Sequence, residues 1–207
     1  SWLKNILLVY PTIPNNTYWS FQYTLRFIGK KSGMPPLGLI TMAALLPERY
    51  NLKLVDMNIE PLTEKDIEWA DAVFVSAMII QQNSLDDVVA WCNRMNTPVI
   101  AGGPHPTASH EDIPGVDHFV LGEAETILSD FLADFENHTA RKIYRCQEKP
   151  VLTDSPVPRF DLLKLNAYAS MAIQYSRGCP FKCEFCDIWI TYGNKPRLKP
   201  AQNIIRE

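Results

Sequence analysis

From residue 5 to about residue 145, short apolar runs alternate with longer stretches in which hydrophobic residues return every three or four positions. The runs span residues 5–10, 52–56, 72–76, 98–101 and 118–121, and each is strand-sized and built mainly from Val, Ile, Leu or Phe. Strands that alternate with amphipathic helices predict βαβ units, and so a parallel sheet covered by helices on both faces. Five strands in a doubly wound α/β arrangement are expected here.

The stretches between the strands carry helix signals. Pro35 and Pro36 open a helix running to about Leu46, because a first helical turn has no partner for the amide hydrogen that proline lacks. Ser84 and Asp87 stand at capping-box spacing for the next helix, whose Leu85, Val88, Val89, Cys92 and Met95 share one face. A later helix starting near Glu123 aligns Ile127, Leu128, Phe131, Leu132 and Phe135. Residues 147–167, with Pro150, Pro156 and Pro158 among polar residues, read as a mostly extended linker that closes a first domain at residue 146. Beyond it, residues 168–175 read as another strand and residues 201–207 as the start of a helix.

Composition narrows the class. With 46% hydrophobic and 21% charged residues the chain is that of a folded globular protein, so disorder is excluded. Twenty Lys and Arg against 23 Asp and Glu leave a net charge of -3 and no basic run, which argues against nucleic acid as a partner. The longest apolar stretch, residues 72–80, falls far short of the roughly 18–20 residues that cross a bilayer, so no transmembrane segment is expected. Residues 1–10 read as a strand and not a signal peptide, and Ser1 where Met would stand suggests a trimmed start. Five cysteines, three of them clustered, suit thiolate ligation in a reducing compartment better than disulfides, which points to the cytoplasm.

Candidate chemistry falls in two places. Ser76-Ala77-Met78, Gly102-Gly103-Pro104 and Gly122-Glu123 follow predicted strands directly, where a doubly wound sheet opens its ligand crevice. Glycine there admits a ligand to the backbone, or serves only a tight turn at positive φ. Three such loops together favour a ligand, with Ser76, Met78, Gly102, Gly103, Gly122 and Glu123 as its contacts. Asp56 and His105 read as turn or capping residues, and Tyr18, Trp19, Phe21, Tyr23 and Phe27 as interface packing that otherwise covers the crevice or reaches a substrate. No catalytic side chain is assigned.

The second place is Ser176-Arg177-Gly178-Cys179-Pro180-Phe181-Lys182-Cys183-Glu184-Phe185-Cys186-Asp187. Its C-x3-C-x2-C spacing lets one loop aim three soft thiolates at one metal centre, which selects zinc or an iron-sulfur cluster over hard cations. A structural zinc site wants a fourth Cys or His, and none follows Cys186 nearby, so an open iron is the better reading. Cys92 belongs to its helix's apolar face, and Cys146 shows no partner.

With Phe185 directly before the third cysteine, the loop resembles the signature of the radical S-adenosylmethionine superfamily. The resemblance implies that Cys179, Cys183 and Cys186 hold a 4Fe-4S cluster whose fourth iron is chelated by S-adenosylmethionine, with Phe185 at the cofactor. One electron then cleaves the sulfonium to a 5'-deoxyadenosyl radical, chemistry that ordinary side chains cannot supply.

The order of parts extends the likeness. A domain over residues 1–146, a linker over 147–167 and the cysteine loop within 168–207 are similar to cobalamin-binding radical S-adenosylmethionine proteins, hopanoid methylases among them. The likeness is carried by Pro35-Pro36-Leu37-Gly38-Leu39, Ser76-Ala77-Met78, Gly102-Gly103-Pro104-His105-Pro106 and Leu121-Gly122-Glu123-Ala124-Glu125. It implies a flavodoxin-like, Rossmann-like first domain with strand order 2-1-3-4-5, then the truncated start of a radical S-adenosylmethionine (β/α) barrel. One departure stands out. Many cobalamin domains carry D-x-H-x-x-G, whereas this chain reads Asp56-Met57-Asn58-Ile59-Glu60-Pro61, so the histidine that ligates cobalt from below is missing. Either cobalamin sits here without a lower imidazole or the domain has lost the vitamin.

The function implied is the N-terminal part of a methyltransferase acting on an unactivated carbon, in which one S-adenosylmethionine methylates cobalamin and a second supplies the radical. The expected partners are a small-molecule or lipid-like substrate and an electron-donor protein. Alternatives are a cyclase or rearrangement enzyme of the same layout, or a non-catalytic ligand-binding module with a structural metal site. Residues 168–207 are too few for a whole barrel, so this stretch alone is expected to be inactive.

Overall fold

The computed structural model describes residues 1–186 and 188–207; Asp187 and the side chain of Trp19, both named above, lie outside the described residues. Six strands form one parallel sheet: β1 (Asn5–Tyr10), β2 (Asn51–Asp56), β3 (Ala72–Ser76), β4 (Val99–Gly102), β5 (His118–Leu121) and β6 (Ile143–Arg145). Their order is β2-β1-β3-β4-β5-β6, so the first five follow the expected 2-1-3-4-5. The sixth corrects the expected count. It offers a single buried side chain, Tyr144, between two exposed ones, which leaves no period to read.

Alternation along the strands builds two cores. Leu7, Val9, Val73, Val75, Val99 and Ala101 face one side, where Ile67 of α3 (Glu64–Trp69) and Leu85, Val88, Val89 and Cys92 of α4 (Gln82–Arg94) cover them. Ile6, Leu8, Phe74, Ile100 and Val120 face the other, under Leu39 and Ala43 of α2 (Leu37–Ala44) and Leu128, Phe131, Leu132 and Phe135 of α6 (Leu128–Glu136). A one-residue slip would exchange the two faces, so burial on both sides pins the register. The Cys92 thiol is buried in the first core and pushed up to about 11, chiefly by that burial, so it is inert packing.

Local signals were in part misplaced. The helix expected to be capped by Ser84 starts at Gln82, and Ser84 Oγ instead accepts a hydrogen bond from Thr12 N at 2.9 Å. A capping box does occur one helix earlier, where Thr63 and Asp66 exchange bonds at the start of α3. Four short helices had no sequence forecast: α1 (Gln22–Phe27), α3, α5 (Pro104–Ser109), opened by Pro104 directly after β4, and α7 (Ile188–Tyr192).

Residues 147–167 are less extended than expected. They wind through 3-10 turns at Leu152–Asp154, Phe160–Leu162 and Leu165–Ala167. The segment is fastened to the sheet domain: Arg159 N donates to Ile40 O, and the amides of Lys31 and Ser32 donate to Ala167 O. Leu163 and Tyr168 join Ile40 and Ile59 in a third core. The strand expected at 168–175 does not form. Tyr168 makes an isolated bridge with Ser32, Met171 and Ile173 are exposed, and Tyr175, also exposed, accepts at its backbone O from Lys199 N at 2.8 Å. The chain then makes a short antiparallel ribbon of β7 (Ser176–Arg177) and β8 (Arg197–Leu198), with α7 (Ile188–Tyr192) between them and α8 (Ala201–Arg206) after.

Tyr168 ties this segment to the end of β2. Its hydroxyl donates to Asp56 Oδ2 at 2.8 Å, while Asp56 Oδ1 accepts from Asn58 N and Nδ2. Burial raises the Asp56 carboxyl above the usual range, offset only in part by the donors Asn58 and Tyr168. The folded chain therefore takes up this proton before the unfolded chain does, and the contribution of Asp56 to stability falls as pH rises through the raised value. Tyr168→Phe removes a donor to the charged form and is expected to cost about 1–3 kcal/mol in urea unfolding near neutral pH. The deficit should shrink when the same unfolding is measured near the acid end, where Asp56 is protonated; a deficit that is constant or larger there contradicts the assignment.

Candidate functional site

The strands all end along one edge of the sheet, and there a cavity of about 330 Å3 opens. Tyr10 closes β1, Ser76-Ala77-Met78 follow β3, Gly102-Gly103 end β4, and Gly122-Glu123 follow β5; all line it. One wall is α2 with Pro35 and Pro36 before it and Leu45 after it, and the apolar floor is made by Phe74, Ile100, Val120 and Leu128. Six of the residues singled out from the sequence, Ser76, Met78, Gly102, Gly103, Gly122 and Glu123, thus meet in one space. Phe185 does not join them: it is 92% exposed, in the loop after β7.

The rim is set by hydrogen bonds between loops. Gln81, wholly buried, accepts from Met78 N at 2.8 Å and donates to Pro11 O at 2.6 Å, which fixes the turn after β3 against the end of β1. Thr107 Oγ1 accepts from Gly122 N at 3.0 Å and joins the turns after β4 and β5. Gly103 has φ +90°, and a methyl there would lie 2.4 Å from Ser76 Oγ. A methyl on Gly102 would meet Val120 O at 2.9 Å. Close backbone approach therefore explains both glycines without a ligand, and it is this tight turn that leaves the strand ends open.

Charge at the rim is paired. Glu123 is buried, with Oε2 2.7 Å from Arg177 and Oε1 2.5 Å from Arg197, and Glu125 Oε1 lies 2.6 Å from Arg177. Gln174, Arg177 and Tyr192 form the far wall. The sequence reading missed these three, and Tyr10, because nothing local marks a residue that reaches the crevice from about 50 residues away. Burial and the nearby Asp56 charge push the Tyr10 phenol up to about 12, so it is a neutral donor. His105 is buried beside the crevice with both ring nitrogens unpaired, and burial lowers its affinity for a proton, so the ring is neutral.

Asn58 stands where the D-x-H-x-x-G histidine would be, and it is wholly engaged elsewhere. Its Oδ1 accepts from Ile13 N at 2.8 Å, and its Nδ2 donates to Pro11 O and to Asp56 Oδ1. It staples the loop after β1 to the loop after β2, with both amide hydrogens and one oxygen lone pair engaged. The crevice lining is largely apolar with a few polar groups at its rim, which suits a ligand with a large apolar surface.

The three clustered cysteines are free thiols, Cys183 exposed and Cys179 and Cys186 half-buried. As a donor set they fit an iron-sulfur cluster in chemistry, being soft, reachable and free of disulfides. Among the described residues, however, no three Cys, His, Asp or Glu side chains converge closely enough to hold a metal ion. Cys146, expected to be without a partner, donates to Glu148 O at 2.6 Å and lies 3.0 Å from Thr126 Oγ1. In the aromatic segment Tyr18, Tyr23 and Phe27 are strongly exposed, and none of the three lines the cavity. Among the described residues no helix is long and apolar enough to cross a membrane.

Comparison with known proteins agrees with this geometry. Residues 30–132, which contain every strand of the crevice except β1, match the family described as the B12 binding domain. The chain is 43% identical over 97% of its length to an uncharacterized methyltransferase of Synechocystis sp., and 34% identical over 99% to the hopanoid C-2 methylase of Rhodopseudomonas palustris. It is 27% identical over 84% to the anaerobic magnesium-protoporphyrin IX monomethyl ester cyclase of Synechocystis sp.. The chain spans 38%, 40% and 43% of the length of these three relatives.

If the turn after β4 needs glycine for its own geometry, Gly103→Ala should destabilise the chain by about 1–3 kcal/mol. Gly38, in α2, has open space where a methyl would sit, so Gly38→Ala should instead stabilise by roughly 0.5–1 kcal/mol. Urea midpoints of the two variants check this, and equal midpoints would show the turn to be unstrained by a side chain.

Proposed function

Since the chain belongs to the B12-binding-domain family, we propose that it is the cobalamin-holding N-terminal part of a cobalamin-dependent radical S-adenosylmethionine methyltransferase acting on an unactivated carbon. The observation that carries this reading is the meeting of Ser76, Met78, Gly102, Gly103 and Gly122 in one cavity at the strand ends, inside the matched stretch. In this reading residues 1–146 are the cobalamin domain, 147–167 the connecting segment and 168–207 the start of the radical domain.

The groups that the reading requires supply the hard chemistry: cobalamin carries a methyl group, and the cluster with S-adenosylmethionine supplies a substrate radical. The chain's own residues do the rest. Phe74, Ile100, Val120 and Leu128 keep water from the floor of the crevice, and Met78 and Tyr10 border its mouth. Asn58, held by Pro11, Ile13 and Asp56, stands where an imidazole would be, so this loop would supply no histidine to a bound cobalamin. Cys179, Cys183 and Cys186 hold the 4Fe-4S cluster once their loop closes on it, with Phe185 at the S-adenosylmethionine.

The substrate class is a small or lipid-like molecule, in keeping with the hopanoid methylase among the relatives. An electron-donor protein reduces the cluster, and the reducing cytoplasm preserves the thiols. Residues 1–207 by themselves do not turn over. A second reading, cyclisation, draws on the cyclase relative and differs in one readout, since no methyl group from S-adenosylmethionine then enters the product.

Hydroxocobalamin titrated into the chain at micromolar concentration is expected to give a bound corrinoid spectrum; none at that concentration rejects the cobalamin assignment. Anaerobic reconstitution is expected to load iron and acid-labile sulfide that the Cys179→Ala, Cys183→Ala, Cys186→Ala triple variant loses. Stoichiometric zinc with no iron would support a binding module with a structural metal instead.

A further inference from the structure

Outside the crevice floor, the most heavily invested polar feature of the chain is a buried ionic cluster at the rim. Glu123 comes from the turn after β5, Glu125 follows it, Arg177 ends β7 and Arg197 starts β8. Their side chains are 2%, 11%, 9% and 18% exposed, so the cluster has little contact with water. Both oxygens of Glu123 are used, since Arg197 also reaches Oε2 at 3.0 Å. Further guanidinium donors are used as well: Arg177 Nε donates to Gln174 Oε1, and Arg197 Nη1 and Nη2 to Pro150 O and Tyr192 O.

Two facts give this cluster a direction. Arg177 and Arg197 are register partners across the ribbon, so Glu123 grips both strands at one rung. That ribbon is also the base of the cysteine loop: Cys179 lies two residues beyond Arg177, and Cys179 N donates to Gly193 O at 3.1 Å. A buried ion pair adds little net stability against its desolvation, but it does select one arrangement over others. The geometry points to Glu123 as a positioning residue that clamps the base of the cysteine loop in fixed register over the crevice, through Arg177 and Arg197. Glu125 secures Arg177 from a second side. This rests on the cobalamin reading only for what fills the crevice, not for the clamp itself.

The clamp is tested by amide hydrogen exchange of the chain, without added ligand, in wild type and Glu123→Gln. Loss of the carboxylate charge is expected to speed exchange in residues 176–179 and 193–198 by about tenfold or more while β1, β3 and β4 stay protected. Ribbon exchange equal to wild type overturns the proposal. If Glu123→Gln also loosens the central strands, Arg197→Gln decides, because it cuts the clamp from the ribbon side: faster ribbon exchange supports the proposal and unchanged exchange overturns it. A second arm adds hydroxocobalamin, which is expected to slow ribbon exchange in wild type and several-fold less in Glu123→Gln. A role in general stability alone would not produce that ligand-dependent difference. Absence of any bound corrinoid spectrum would fell the cobalamin reading, and the ligand-free comparison would still decide the clamp.

Discussion

A parallel sheet cannot pair the backbone groups on which its strands end, and the chain is organised around that one line of loose ends. At β3, β4 and β5 the backbone is drawn close, Gly102 to Val120 O and Gly103 to Ser76, and the ends of these strands and of β1 border a cavity. At β2, where the strand ends in a buried acid, the line is sealed. The sealing group is the Tyr168 hydroxyl on Asp56. Which stretch of the edge is available to a ligand is thus decided by which turns are glycine and which are covered.

Two buried carboxylates at this edge share a logic. Asp56 and Glu123 both sit just at or beyond strand ends, both are nearly inaccessible, and each is held by residues from the part of the chain beyond 150. An acid buried without a partner is costly, and the C-terminal segment supplies both arginines of Glu123 and the hydroxyl on Asp56 Oδ2, whose other oxygen is held by Asn58. The consequence is a strap with two fastenings, one at either side of the crevice. The cysteine loop hangs from the second, and the apolar floor lies between them.

Much of the fold was legible because it depends on local period. The runs at residues 5–10 and 72–76 are buried on both faces and read as continuous apolar strands, and α4 and α6 show their inward faces at helical spacing. What failed had no such period or had a competing use. β6 buries only Tyr144; Ser84 is spent on Thr12; and of the apolar positions in 168–175, Met171, Ile173 and Tyr175 are left exposed. For the site, the loops after β3, β4 and β5 were readable since strand ends can be counted along the sequence. Arg177, Arg197 and Tyr192 were not, because their importance comes from contacts made 50 or more residues away; Glu123, expected at the ligand, lines the cavity with both its oxygens held by arginines.

The account stands or falls on what occupies the strand-end crevice. The most direct measurement is the position of cobalt in crystals of the chain grown with hydroxocobalamin, read from anomalous scattering at the cobalt edge. The account predicts one strong peak at the mouth of the cavity bordered by Met78, Gly103 and Gly122, with no side chain of the Asp56–Asn58 loop bound to the metal. A cobalt peak on another face of the sheet, or one ligated by a protein side chain from that loop, would contradict it.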